Sequence, residues 1–362
     1  YFFNEILKNF ITILITFAAI AWVVKAVNFL DLMVEDGYSS GIYFKYSILN
    51  ITSIISRFVP LAFLLSLTIS IIKFERQQEL LILWTSGLSK IKIVNTFLLI
   101  GFFITFFQLV LSLFINPLLL NKSRTLLSNT ENLDVNTVLK SNDFSDSFKG
   151  ITFYIDEKNT NNELINIFIQ DKTGHFKTFV KEMGTKKNST IIAKKGFIDK
   201  NKLILFNGTI QTLNKKKEAI KIVQFERTEL SLKNISTRTI KQTKIQETSS
   251  FFLIKCMFSQ NYNLSSTDCP DSYKKEATQT MSRRLGMPLY IPLISIIISF
   301  LLINSKEKKY SFLKKYILFT ITFTILILAE IILKFTGFSI LIANSYSIFP
   351  VAVSWFFYIF LL

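Results

Sequence analysis

Six apolar segments, split three and three around a long polar insert, constrain this chain more than any other feature. A helix needs about 20 apolar residues to cross a bilayer. Phe10–Leu30, Ile54–Ile72, Ile93–Ile115, Met287–Ile303, Tyr316–Phe335 and Ser347–Leu362 meet or approach that length. The first is too long for a signal-peptide apolar region, and no small-residue cleavage site follows it, so it reads as a span. Half of all residues are hydrophobic and mean hydropathy is +0.39, more apolar mass than a soluble chain of 362 residues needs. The expected class is therefore a helical membrane protein with six spans.

Lysine and arginine in the short loops set the orientation. Lys73, Arg76, Lys90 and Lys92 follow span two; Lys306, Lys308, Lys309, Lys314 and Lys315 follow span four. Both loops read as cytoplasmic. The loop after span one, with Asp31, Glu35 and Asp36 against Lys45, reads as external, as does the nearly uncharged loop after span five. Both termini are then expected in the cytoplasm and the insert outside. Arg283 and Arg284, just before span four, break the rule locally. The net charge of +17 comes mostly from lysines scattered over the insert or gathered at span ends. It forms no basic stripe interleaved with aromatics, which argues against nucleic acid as a partner.

Four regions follow: a first membrane half over 1–124, an external β domain over 125–250, a helical connector over 251–285 and a second membrane half over 286–362. The β domain is read from alternating runs at Ile151–Ile155, Leu164–Ile169, Thr178–Lys181, Thr190–Ala193, Lys202–Phe206 and Ala219–Phe225. Turn signals such as Asp156-Glu-Lys-Asn, Asp171-Lys-Thr-Gly and Phe206-Asn-Gly separate them, which predicts an antiparallel sandwich or roll. Cys256 and Cys269 close a small loop if that side is oxidising; two free thiols fit nearly as well. His175, in a Thr-Gly-His-Phe turn, has no ligand-spaced partner. Asn-x-Ser/Thr triplets such as Asn188-Ser-Thr are expected by chance in so Asn-rich a chain.

Motifs for chemistry are missing from the sequence. It has no Gly-x-x-x-x-Gly-Lys-Ser/Thr loop, no Gly-x-Ser-x-Gly elbow and no His-Glu-x-x-His. No catalytic residue, metal site or cofactor is expected. The informative stretch is cytoplasmic: Phe-Glu-Arg-Gln-Gln-Glu-Leu-Leu-Ile-Leu-Trp-Thr-Ser-Gly-Leu-Ser-Lys over 74–90. It predicts an amphipathic helix from Glu75 to Ser86 closed by Gly87. Such a helix either joins two spans along the membrane face or seats in a groove of a cytoplasmic partner, with Leu80, Leu81, Leu83 and Trp84 as anchors and Glu79 as charge.

The Glu79–Gly87 stretch resembles the coupling-helix signature of the lipopolysaccharide-export permeases, the LptF/LptG family. Val59-Pro-Leu-Ala within Phe58–Ser66 resembles that family too, as does the layout of three spans, an external β-jellyroll and three more spans. The resemblance implies a heterodimer with a second homologous permease, bound to a cytoplasmic ATPase dimer, in a bacterial inner membrane. It further implies a single-span lipopolysaccharide-transfer protein, a periplasmic jellyroll bridge protein and lipopolysaccharide itself as cargo. Lys25, near the outer end of span one, matches the family's substrate-contacting lysine; by physics alone it is either such a contact or a snorkelling side chain. Arg57 is a second candidate for substrate contact. Glu330, midway along span five, pairs with a cation or stays protonated against a neighbouring helix. The acidic Val34-Glu-Asp-Gly leans towards the LptF side. Two other readings are a four-span ATP-coupled exporter, which the three-and-three layout disfavours, and a receptor or scaffold with a ligand-sensing β domain, which would need a cytoplasmic output module.

Overall fold

The computed structural model describes residues 1–34, 38–128, 141–148, 150–159, 163–172, 189–199, 202–214, 219–231, 244–258, 271–302 and 308–361. His175, Cys269, Glu35, Asp36, Asn188, Lys306 and the run predicted at Thr178–Lys181 lie outside them. The described residues form two compact units: Tyr1–Val24, Leu49–Asn121 and Thr243–Leu362 make the first; Lys25–Ile48 and Lys122–Gln242 make the second.

Six helical runs are long and apolar enough to cross a membrane. They comprise α1 (Phe2–Phe29); α3 (Ser40–Arg76), after the short α2 (Asp31–Val34); α5 (Lys90–Val110), continued by a π turn at Leu111–Ile115 and by α6 (Asn116–Ser128); α8 (Asp271–Gly286) running through a 3-10 turn into α9 (Tyr290–Ser299); α10 (Lys308–Leu333); and α11 (Ile340–Leu361). The short α4 (Glu79–Thr85) links α3 to α5, and α7 (Ser250–Phe258) precedes α8. All ten residues of α9 are buried, because a helix that is apolar on every side needs neighbours on every side. It packs against α5 and α11. The α5 contact is close: a Cβ at Gly101 would lie 3.1 Å from Ser295 Oγ, the small-residue approach that lets helices pack where lipid offers no hydrophobic drive. By contrast α1, α10 and α11 bury about a fifth or less of their apolar windows.

Pro60 lies inside α3 and lacks the N–H that would reach the Ser56 carbonyl. Gln108 of α5 supplies the missing donor, its Nε2 lying 3.1 Å from that oxygen. A lipid-surrounded helix tolerates proline when a neighbour satisfies the freed carbonyl in this way.

In the second unit, β1 (Asp143–Phe148), β2 (Ile151–Lys158), β3 (Glu163–Asp171), β4 (Ser189–Asp199), β5 (Lys202–Asn214) and β6 (Ala219–Ser231) form one antiparallel sheet in sequence order. Among the described residues the all-β insert is thus a six-stranded meander. Ile151, Phe153, Ile167, Ile169, Ile191, Leu203, Leu205 and Leu230 line its buried face, with Tyr38, which precedes α3, and Leu127 of α6 in the same core. Tyr38 donates its hydroxyl to the Leu127 carbonyl at 2.6 Å.

The Phe206-Asn-Gly signal does not make a turn. Asn207 has φ 48° inside β5, and Asn166 has φ 52° inside β3. The registers place Asp156, Asn166, Lys194, Asn207 and Glu226 on one row across five strands. Along that row the buried alternation slips by one residue: Leu164 then Ile167 in β3, Ala193 then Gly196 in β4. Asparagine tolerates the left-handed conformation, so two of them crease the sheet transversely while keeping its apolar residues on one face. Gly208, next to the crease, admits no side chain, since a Cβ there would sit 2.3 Å from the Ile192 carbonyl oxygen.

Candidate functional site

The 74–90 segment is not one helix. α3 runs through Arg76, and Gln78 then takes φ 57° before α4 begins at Glu79. A left-handed, non-glycine residue interrupts the helical ladder, so the predicted Glu75–Ser86 helix is a short helix set at a break. Its closure is as the sequence implied. Gly87, with φ 87°, lets the Leu88 N–H reach the Leu83 carbonyl at 3.1 Å and its own N–H the Trp84 carbonyl at 3.2 Å. These two bonds define a Schellman motif.

The faces of α4 divide cleanly. Leu80 is 3% exposed and belongs to the core of the first unit, while Leu83 and Trp84 pack against that core. Burying one such leucine contributes about 1.5–3 kcal/mol, enough to hold a two-turn helix in place. The outward apolar residues are Leu81, Ile82 (64% exposed) and Leu88. Of the four anchors read from the sequence, only Leu81 therefore faces fully outward, and Ile82 and Leu88 join it. Lys90 lies over the Trp84 ring, 5.2 Å from its centroid. Glu79 Oε1 accepts a hydrogen bond from the Tyr1 hydroxyl at 3.0 Å, and Oε2 is buried without a partner among the described residues. The hydrogen bond to this carboxylate, then desolvation, raises the Tyr1 phenol above its ordinary value. Ion pairs Lys73–Glu5 and Lys315–Glu75 (2.8 Å) tie the C-terminal end of α3 to α1 and α10.

A second polar cluster lies beside the middle of α3, at Arg57. Arg283 of α8 pairs with Glu330 of α10 at 3.1 Å, and Arg57 of α3 is within electrostatic reach of both. Glu330 is thus partnered by a cation, the first of the two states its position allowed. Arg283 carried only one signal in the sequence, its breach of the loop-charge rule. Arg284 is structural: its guanidinium donates to Ser250 Oγ (2.7 Å) and to the Gln246 and Thr248 carbonyls (2.9 and 3.0 Å), and its carbonyl accepts from Ser112 Oγ. Lys25 sits half-buried in α1, in the second unit. Cys256 in α7 is disulfide-bonded.

Among the described residues no three His, Cys, Asp or Glu side chains group closely enough to hold a metal ion. What the first unit offers is a fixed, outward apolar helix following α3 and a charged cluster of Arg57, Arg283 and Glu330. No curated protein matches the chain. The family model for the lipopolysaccharide export system permease LptF/LptG matches residues 1–362, the whole of it, and the chain belongs to that family.

Proposed function

We propose that this chain is the permease subunit of an ATP-driven exporter that extracts lipopolysaccharide from the outer leaflet of the inner membrane and passes it, through its β domain, to a periplasmic bridge of similar domains. The observation that carries the reading is α4: Leu80 holds it to the span bundle, and Leu81, Ile82 and Leu88 point away from it. A helix held on one face and apolar on the other suits a groove on a partner. The partner is a dimeric cytoplasmic ATPase, which supplies the nucleotide site that this sequence lacks. Its closure pushes on Glu79–Gly87 and drives the lipid out of the space between the two permeases.

The second homologous permease covers apolar surface of α1 and α10, which the single chain leaves largely open. Lys25 and Arg57 contact phosphate or acidic sugar on the lipid. A single-span transfer protein and the jellyroll bridge complete the path. The disulfide at Cys256 fits an oxidising, periplasmic location for α7 and the β domain, with both termini in the cytoplasm. The creased sheet, apolar on its buried face, suits passage of acyl chains.

Affinity purification of the chain in mild detergent tests this reading. Recovery of a second six-span permease, a soluble nucleotide-binding subunit and lipopolysaccharide is expected. A chain recovered with neither ATPase nor lipid, under conditions that preserve known transporter complexes, would overturn it.

A further inference from the structure

A groove of about 450 Å³ opens on the first unit between α5, α9 and α11. Its floor is Pro292 and Ile296 of the buried α9, and its walls include Leu99 and Phe102 of α5 and Trp355 of α11, all three widely exposed. One end is polar. The Tyr358 hydroxyl donates to Asn95 Oδ1 at 3.0 Å, which leaves the Asn95 amide N–H groups outward as donors. Lys92, Asn95, Leu99 and Phe102 follow at spacings of three, four and three along α5, so they form one stripe about 15 Å long. Lys92 is exposed and has no ion-pair partner among the described residues.

We propose that this groove is a binding site for an anionic glycerophospholipid. One acyl chain lies along Leu99, Phe102 and Trp355, and the phosphodiester headgroup is held by the Lys92 ammonium and the Asn95 amide. Charge and polarity choose the occupant. A transmembrane helix of another protein would leave the cation and the amide donors at the polar end unmatched, whereas an anionic amphiphile satisfies both ends. The polar end coincides with the N-terminal end of α5 and the C-terminal end of α11, where chain ends meet a membrane surface and Tyr and Trp settle. The site involves neither α4 nor the Arg57 cluster, so it stands or falls apart from the export reading.

Tryptophan quenching by brominated lipid reads this site. Trp22→Phe with Trp84→Phe leaves Trp355 as the only indole of the three. The full chain is placed in phosphatidylcholine nanodiscs containing a minor fraction of lipid with brominated acyl chains. Brominated phosphatidylglycerol should quench Trp355 as though enriched about fivefold over the same fraction of brominated phosphatidylcholine, the preference one surface lysine confers. Lys92→Glu should remove that excess and Lys92→Arg should keep it. The reference is a single indole at position 356 (Phe356→Trp with Trp355→Phe), equally exposed but not lining the groove, which should be quenched alike by both lipids. Equal quenching of Trp355 by the two lipids would reduce the groove to ordinary lipid contact and overturn the proposal. Absence of quenching by either would show a protein segment filling it, and overturn it as well.

Discussion

The bond between Gln108 and the Ser56 carbonyl exists because Pro60 cannot make it, and this dependence can be measured. Gln108→Leu removes the donor and strands a carbonyl inside the bundle. A stranded buried acceptor costs about 1–3 kcal/mol. Part of that is offset, since Gln108 Oε1 is itself buried without a partner among the described residues and leaves with the side chain. Side-chain bonds between helices in membranes average about 0.6 kcal/mol and reach about 1.7. The net loss should therefore be about 1 kcal/mol, between that average and that maximum. Pro60→Ala restores an N–H four residues after Ser56, so Gln108→Leu in that background should cost nearly nothing. The four proteins of the cycle, unfolded reversibly in mixed micelles, should show a coupling energy of about 1 kcal/mol. Effects that add to within about 0.3–0.5 kcal/mol would mean the two positions are independent and the reasoning is wrong.

Three further outcomes are expected. Glu79→Lys, and separately Ile82→Asp, should abolish recovery of the ATPase with the permease and stop transport. Thermal stability in detergent should stay near wild type in Ile82→Asp, whose side chain is exposed, and fall in Glu79→Lys, which loses the Tyr1 bond and puts a cation where a carboxylate oxygen is buried. Normal transport in either variant would remove α4 from the coupling step. Gly208→Ala should destabilise the β domain by about 1–3 kcal/mol through overpacking against the Ile192 carbonyl, read as faster protease cleavage within 143–231 of the full chain. Hydrogen bonds from Lys202, then Arg227, hold the Glu229 carboxyl below its usual range. Its stabilisation is thus present above the unfolded carboxyl value of about 4.3 and is lost as pH falls through the lower folded value. The stability gap between wild type and Glu229→Gln should accordingly be open at neutral pH and closed in acid, and a gap that widens on acidification would contradict the sign.

Spans were legible because lipid demands long, continuous apolar runs, and all six appear. Several helices run well past the apolar run, as α3 does from Ser40 where the run was read from Ile54, because polar turns extend a helix without adding to its apolar signal. Strands β2 to β6 were legible for the same kind of reason: burying one face forces alternation. β1 was not, because its polar Asp143 and Ser145 pair with the buried Ile155 and Phe153 while Phe144 faces outward, and a register shift after Ser145 breaks the alternation. The crease misled for a different reason. Asn207-Gly carries the backbone freedom of a turn, and only the register with Asn166 two strands away shows that the freedom bends a sheet. At α4, Gly87 announced the end, whereas Gln78 gave no hint of the break, since glutamine has no preference for left-handed backbone. Which of the apolar residues of α4 face outward depends on what the bundle covers, and a short sequence window does not contain that. The Arg283–Glu330 pair joins residues 47 apart on separate helices, so no local pattern could announce it.

The central claim is tested most directly by reconstitution. The chain, purified with its second permease and ATPase, is placed in proteoliposomes loaded with lipopolysaccharide, and lipid transferred to an added periplasmic acceptor is followed over time. Transfer that requires ATP, and that Glu79→Lys eliminates together with recovery of the ATPase, is the predicted result. Transfer that proceeds equally without ATP, or no transfer from a complete and ATP-hydrolysing complex, would contradict it.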